Sequence, residues 1–208
     1  MNLCSRFVKF IKVKKIKSAL IKAYQDILVL IKIPEVSRIF THITSEEKLR
    51  LFYLACALPE SAVAVEVGSY LGASALSIAA GLKRSAKLYC IDTWLNDTMP
   101  DGKKDTYETF LNNVANHKES IIPLRGKSHE IGEKFDKTID YLFLDGDHSY
   151  EGVKSDVKVW LPKLKKKGVI IFHDIGWAEG VQQVFNEDVK PLLYSINYLP
   201  NMCWGYLK

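Results

Sequence analysis

The stretch Tyr141 to Ile175, YLFLDGDHSYEGVKSDVKVWLPKLKKKGVIIFHDI, decides the fold. Its first apolar run, Tyr141–Leu144, breaks off at Asp145-Gly146-Asp147-His148, and its second, Val169–Phe172, at His173-Asp174. Runs that are apolar at every position and free of proline suit parallel strands covered on both faces. Between them Val153, Val157, Trp160, Leu161 and Leu164 recur at three- and four-residue steps, which predicts a helix over 149–164. Asp147 is the expected cap of that helix. The unit is therefore strand–helix–strand with a right-handed crossover. Neighbouring strands lie about 5 Å apart. Asp145, His148, His173 and Asp174 then converge at the carboxyl edge, where open α/β sheets bind ligands.

Working outward, the same alternation continues on both sides. Thr44-Ser45-Glu46-Glu47 has capping-box spacing and opens a helix over 45–58 that closes at Pro59. Ala62–Val67 reads as a strand that runs into Gly68-Ser69-Tyr70-Leu71-Gly72, with a helix after it. Lys87–Ile91 is the next strand, ending at Asp92; a polar loop over 95–104 and a helix over 105–117 follow. Ile121–Leu124 is a third strand, ending at Gly126-Lys127-Ser128. After the central stretch, 177–193 reads as helix and 194–208 as a closing hairpin. Alternating strands and helices make this an α/β domain with a mainly parallel sheet, expected over 44–208.

Residues 1–43 form an extension. Its first 32 residues carry Arg6 and Lys9, Lys12, Lys14, Lys15, Lys17, Lys22 and Lys32 against Asp26 alone, a net +7; the chain total of +5 then leaves −2 for the rest. Val13, Ile16, Leu20, Ala23, Tyr24, Ile27 and Ile31 share one helical face, with Lys14, Lys15, Ser18, Lys22 and Gln25 opposite. Such a helix can dock on its own domain or on a partner copy, its lysines merely solvated. It can also lie on an anionic membrane surface. Residues 6–12 fall out of phase with the stripe, so docking is the expectation. The longest apolar run, Ile27–Ile31, is too short for a signal core or a membrane span. At 208 residues and 48% hydrophobic, the chain can bury a core without staples. Its four scattered cysteines suit a reducing, cytoplasmic compartment, with the inner membrane surface as the extension's alternative.

The glycine turn after the first strand is where backbone must come close to a ligand. A dinucleotide site would want GxGxxG there, and Tyr70 stands where the next glycine belongs. Glu66 instead precedes Gly68 by two residues, and Asp92 ends the second strand. A carboxylate at that end suits a ribose diol.

Glu66-x-Gly68-x-x-x-Gly72, Asp92 and Asp145 together resemble class I S-adenosylmethionine-dependent methyltransferases. LDGDHSYEGVKSDVKVWLPKLKKKGVIIFHD is similar, further, to metal-dependent O-methyltransferases acting on macrolide sugars, and more distantly to the catechol and caffeoyl-CoA enzymes. The resemblance covers about residues 44–208. It implies a three-layer Rossmann-like fold with a seven-stranded sheet whose last strand is antiparallel. It also implies that Glu66, Gly68, Ser69, Tyr70, Gly72 and Ser74 pass beside the amino-acid end of S-adenosylmethionine, with Asp145 close by. Asp92 would hold the ribose, Trp94 would cover the adenine and Ser128 would lie near it. Each of these also has a structural alternative: Glu66 a cap, Trp94 a core aromatic and Ser128 a helix N-cap.

A hydroxyl nucleophile must lose its proton, which a divalent cation and a base promote. The resemblance implies a metal of the Mg or Mn kind on Asp145, His173 and Asp174. His173 departs from the catechol-type carboxylate and shifts the preference toward Mn, Fe, Ni or Zn; the alternative is a histidine hydrogen-bonding a ligand from behind. His148, three residues after Asp145, matches the base of the sugar enzymes. Its place at a helix start is expected to favour the neutral imidazole. The acceptor implied is a small hydroxylated molecule, a sugar or glycosylated metabolite. A nicotinamide oxidoreductase lacks its fingerprint here, and a non-catalytic cofactor binder has no reason to keep Asp145, His148 and Asp174. No nucleic-acid partner is expected, since no aromatic base pocket of the NPPY kind is present; a homo-oligomer stays open.

Overall fold

The computed structural model describes residues 3–96 and 102–208, with the side chains of the first helix described from Ile16 onward. The side chain of Val13 in the apolar stripe and the 97–101 part of the polar loop lie outside what is described. In chain order the elements are α1 (Leu3–Lys32), α2 (Ser45–Cys56), β1 (Val63–Val67), α3 (Ala73–Gly81), β2 (Lys87–Asp92), α4 (Tyr107–Asn113), β3 (Ile121–Arg125) and α5 (Ser128–Lys134). Then follow β4 (Ile139–Leu144), α6 (Tyr150–Trp160), β5 (Leu164–His173), α7 (Glu179–Val184), β6 (Leu193–Leu199) and β7 (Met202–Leu207). The seven strands stand in the order β3-β2-β1-β4-β5-β7-β6. All pairs from β3 to β5 are parallel, and β7 is antiparallel to both its neighbours. The direction of winding reverses between β1 and β4.

Period-two alternation splits the strands between two cores. Ala64, Leu88, Cys90, Tyr141, Phe143, Val169 and Ile171 face α2 and α3. Val65, Ile91, Leu142, Leu144, Ile170 and Phe172 face α6 and α7, where Val157, Trp160 and Phe185 meet them. Full burial of one such side chain contributes about 1.5–3 kcal/mol, so both faces are firmly held. Pro123 sits in β3, an edge strand, where its missing N–H leaves no gap in the sheet.

Thr44 and Glu47 form the expected capping box at the start of α2. The helix predicted over 149–164 is shorter than expected: α6 ends at Trp160, and β5 begins already at Leu164. Its cap is Ser149, whose Oγ accepts from the Gly152 N–H, while Asp147 accepts from the Ser149 N–H instead. The region 177–193 is helical but changes pitch, with a π turn over Phe185–Val189.

The extension does not stand apart from the domain. Ile33, Val36 and Ile43 are buried in the α2–α3 core, and Asp26 of α1 accepts a 2.5 Å hydrogen bond from Ser45 Oγ. The face that docks is not the apolar stripe. Ile16, Leu20, Tyr24, Ile27 and Ile31 are all exposed, while Val29 is the residue of α1 that is buried among those described. Among the described residues no helix is long and apolar enough to cross a membrane.

Candidate active site

A cavity of about 740 Å³ opens over the carboxyl ends of β1, β2, β4 and β5, a size that suits a cofactor with its substrate. The sheet reversal beside β1 and β4 creates it, because the loops leaving those strands turn to opposite sides. Gly68, Ser69, Tyr70, Ser74, Asp92, Ser128, Asp145, His148, His173 and Asp174 all contribute to its wall.

Gly68 is a glycine for an internal reason. Its φ is +88°, and a Cβ there would stand 2.0 Å from the Asp145 carbonyl oxygen. The β1 and β4 loops thus touch backbone to backbone, and this contact, where a ligand was expected, excludes a side chain. Tyr70 has a φ of +43°, the left-handed conformation that glycine takes without strain. Its N–H and that of Ser69 both donate to Asp92 Oδ2, at 2.8 and 2.9 Å, and Trp94 N–H donates to Oδ1 at 2.7 Å. A carboxylate offers about four lone-pair sites. Asp92 therefore fixes the glycine turn first and keeps roughly one site for a ligand hydroxyl.

Three expected cofactor residues lie away from the cavity. Glu66 is fully buried behind the turn, where it accepts from Ser69 Oγ at 2.6 Å; burial pushes its carboxyl up to about 7. It shares strand parity with Ala64, so its side chain faces α3. A Cβ at Gly72 would meet Val114 and Phe110 of the α4 region, not the cavity. Trp94 is 1% exposed, packed on Tyr107 and Phe110, with its Nε1–H donated to the Tyr70 carbonyl. It is a core aromatic, the alternative the sequence left open for it. Ser128 does reach the cavity wall, and its Oγ accepts from Trp160 Nε1 at 2.8 Å. Its neighbour Asp156, unremarked in the sequence, is buried at the same wall, and desolvation lifts its carboxyl to about 6.

The acids and histidines meet as the topology demands, but with His148 and His173 exchanged in position. Asp145, His148 and Asp174 each place a ligand atom within 4.8 Å of the others, and His173 is not in that group. His173 follows the Val169–Ile171 parity, which turns its ring down toward α2. There Nδ1 lies 3.1 Å from Asp145 and 3.2 Å from Asp174, and Nε2 lies 3.5 Å from Glu47. Burial alone would keep the ring neutral. The Asp145 charge and the neighbouring Asp145, Asp174 and Glu47 carboxylates outweigh it and push His173 up to about 12, although Nε2, 3.5 Å from Glu47, has no hydrogen-bond partner. Its Nδ1 thus stands beside the two acids, in the place of the histidine that hydrogen-bonds ligands from behind.

Asp174 reverses direction because its φ is +56°, which returns its carboxylate to the cavity. Oδ2 pairs with His148 Nε2 at 2.8 Å, and Oδ1 accepts from Trp177 Nε1 at 2.7 Å and Asn201 Nδ2 at 2.8 Å. Burial opposes ionisation of Asp174, but the hydrogen bonds from His148 and His173 hold it well below the usual carboxylate range. His148 is raised in turn, chiefly by its hydrogen bond to Asp174. This overturns the expectation that a helix start keeps it neutral: the ring faces an anion at closer range than the helix terminus. Asp145 is raised by burial.

The donor set has the types and spacing of a divalent-cation site. His148 could join the two carboxylates as a ligand only through a nitrogen that carries no proton. Trp177, Asn201 and the mouth residue Phe40 were not singled out in the sequence, and Glu47 was read there only as part of a helix cap. Trp177 is 60% exposed yet tethered through its N–H, with its ring 5.1 Å from that of His148. A lone tryptophan after the HD pair was the available signal.

The sheet order, the antiparallel last strand and the cavity over the reversal define a Rossmann-like methyltransferase fold. Residues 65–175, more than half of the chain, match the model of a family described as a methyltransferase domain, and the chain belongs to that family. Solved structures agree in fold. An SAH-bound methyltransferase from Podospora anserina superposes with a TM-score of 0.67 at 12% identity, covering 92% of this chain and 95% of that one. The O-methyltransferase NovP gives 0.65 at 15% identity, over 81% and 82% of the two chains. An O-methyltransferase from Bacillus cereus, solved with SAH, gives 0.63 at 12% identity over 89% and 91%. Two curated relatives are uncharacterised proteins. One, from Sinorhizobium fredii, is 28% identical over 68% of this chain; one from Acanthamoeba polyphaga mimivirus is 29% identical over 62%. The matches span 17% and 59% of those relatives' own lengths.

Proposed function

We propose that the protein is an S-adenosylmethionine-dependent O-methyltransferase acting on a hydroxyl of a small acceptor, a sugar or glycosylated metabolite. The observation that carries this reading is that one cavity joins the Asp92-braced glycine turn to the His148–Asp174 pair. The first is suited to a ribose, the second to removal of a proton. In the reaction the acceptor oxygen attacks the methyl carbon as the carbon–sulfur bond breaks, leaving neutral S-adenosylhomocysteine. Because the sulfonium already activates the methyl, the protein's task is alignment and proton removal. With Nε2–H donated to Asp174, His148 keeps Nδ1 as the acceptor for the hydroxyl proton. Asp174 then stabilises the imidazolium, an orienting role in the manner of a triad carboxylate. His173, Trp177 and Asn201 hold Asp174 in place.

A second reading has one observation in its favour, the convergence of Asp145, His148 and Asp174. Those residues would hold a divalent cation, which when bound lowers the pKa of a coordinated hydroxyl. His148 cannot serve as ligand and base at once, so it is the base only where a cation rests on the carboxylates alone or is absent. The overall proposal is tested with methyl-labelled S-adenosylmethionine and a panel of pyranosides and catechols. Ether-linked label on a hydroxyl is expected; label recovered only on nitrogen would sink it.

A further inference from the structure

The apolar stripe of α1 is the largest unexplained feature of the surface. Ile16, Leu20, Tyr24, Ile27, Leu30 and Ile31 are each between 53% and 66% exposed. At 100° per residue they cover an arc of about 120° over a length of about 22 Å. Isolated exposed hydrophobics need no account, but a continuous band of this kind marks an interaction surface. The helix is not turned outward by chance. Asp26 is tied to Ser45 of α2, Val29 is buried and Ile33 follows into the core, so the opposite side is the one anchored to the domain. Lys22 pairs with Asp26 within the helix at 2.9 Å, on that same side and away from the apolar band.

Two features say what covers the band. The first is charge: residues 1–32 carry a net +7, whereas the rest of the chain is at −2. Two such helices laid side by side would bring like charges together, and an anionic plane would neutralise them. The second is width. A coiled-coil seam uses two positions in seven, a narrower stripe than this one, whereas an arc of about 120° suits a flat apolar–polar boundary. Lys17, beside Tyr24 on the helix wheel, stands where its stem can lie on the apolar side and its ammonium reach the polar side.

We infer that α1 is a surface anchor that lays its Ile16–Ile31 face into the headgroup region of an anionic lipid layer, carrying the catalytic domain on its other side. This does not depend on the methyl-transfer reading.

The test is flotation of the full-length protein with two kinds of vesicle. One is 30% phosphatidylglycerol in phosphatidylcholine, the other phosphatidylcholine alone. Binding to the anionic vesicles is expected, at least tenfold stronger than to neutral ones, and falling severalfold between 50 and 500 mM NaCl as charges are screened. The double variant Leu20→Glu/Ile27→Glu should lose at least tenfold in binding with an unchanged circular-dichroism melt, since both side chains are exposed. Protein that stays in solution with both vesicles would overturn the inference, as would equal binding to both. Sedimentation equilibrium completes it: a dimer that the double variant splits, without vesicle binding, would give the stripe to a second copy instead.

Discussion

In the proposed reaction the chemistry turns on His148 and Asp92, each tied to a different part of the fold. Asp174 pairs with His148 and raises its pKa, so the neutral base form becomes dominant only above the ordinary value of 6.5. The methylation rate should therefore rise with pH through an apparent pKa above that value. Asp174→Asn removes the anion that favours the imidazolium and should move this limb to lower pH, while lowering the rate. His148→Ala should cut single-turnover methyl transfer by about 10²–10⁴-fold, the usual worth of a positioned base. Cofactor affinity should stay unchanged. A variant that keeps both rate and pH profile would return the proton to Asp145 or water. The base role of His148 was readable from the sequence, but whether His173 is a ligand or backs the acids was not. That depended on strand parity, which sends His173 beneath the sheet edge, and on the positive φ of Asp174, which no spacing rule reports.

At the scale of elements, the contact between the β1 and β4 loops holds the cavity open. Gly68→Ala would drive a methyl group into the Asp145 carbonyl, in a backbone conformation that L residues avoid. A loss of at least about 3 kcal/mol in denaturant unfolding is expected, of the order seen for severe steric and backbone conflicts. Glu66 gives a second check. Its folded pKa of about 7 lies above the ordinary 4.5, so the folded state holds this proton more tightly than the unfolded chain. The resulting stability is fully present below 4.5 and is lost as pH rises through about 7. Glu66→Gln removes that titration and should flatten the decline between pH 4.5 and 8 by on the order of 2–3 kcal/mol. An identical pH dependence in wild type and variant would contradict the burial argument. The elements themselves were largely legible: continuous apolar runs gave the buried strands, and Thr44-to-Glu47 spacing gave the start of α2. Where the sequence misled, a local device was at work. Trp94 took the core place because its turn adopts a φ of +52°, and α6 stopped early because β5 extends back through three lysines.

For the whole molecule, the parallel order and the antiparallel closing strand followed from alternation and from the family resemblance together. The outward face of α1 did not follow, because amphipathicity alone does not say which side a domain will hold. Metal dependence is also a property of the assembled site. Turnover that survives excess EDTA would leave proton removal to His148 without a cation; loss of turnover restored by Mn or Mg would assign a cation to Asp145 and Asp174, with His148 either joining them or remaining the base. The central claim, that the cavity is built for S-adenosylmethionine, is tested most directly by calorimetric titration with S-adenosylhomocysteine. Wild type should bind one equivalent, and Asp92→Ala should lose at least about tenfold in affinity, since the one hydrogen bond left for the ligand is worth about 1.5–3 kcal/mol. Absence of binding by the wild type, or binding of a nicotinamide dinucleotide in its place, would contradict the account.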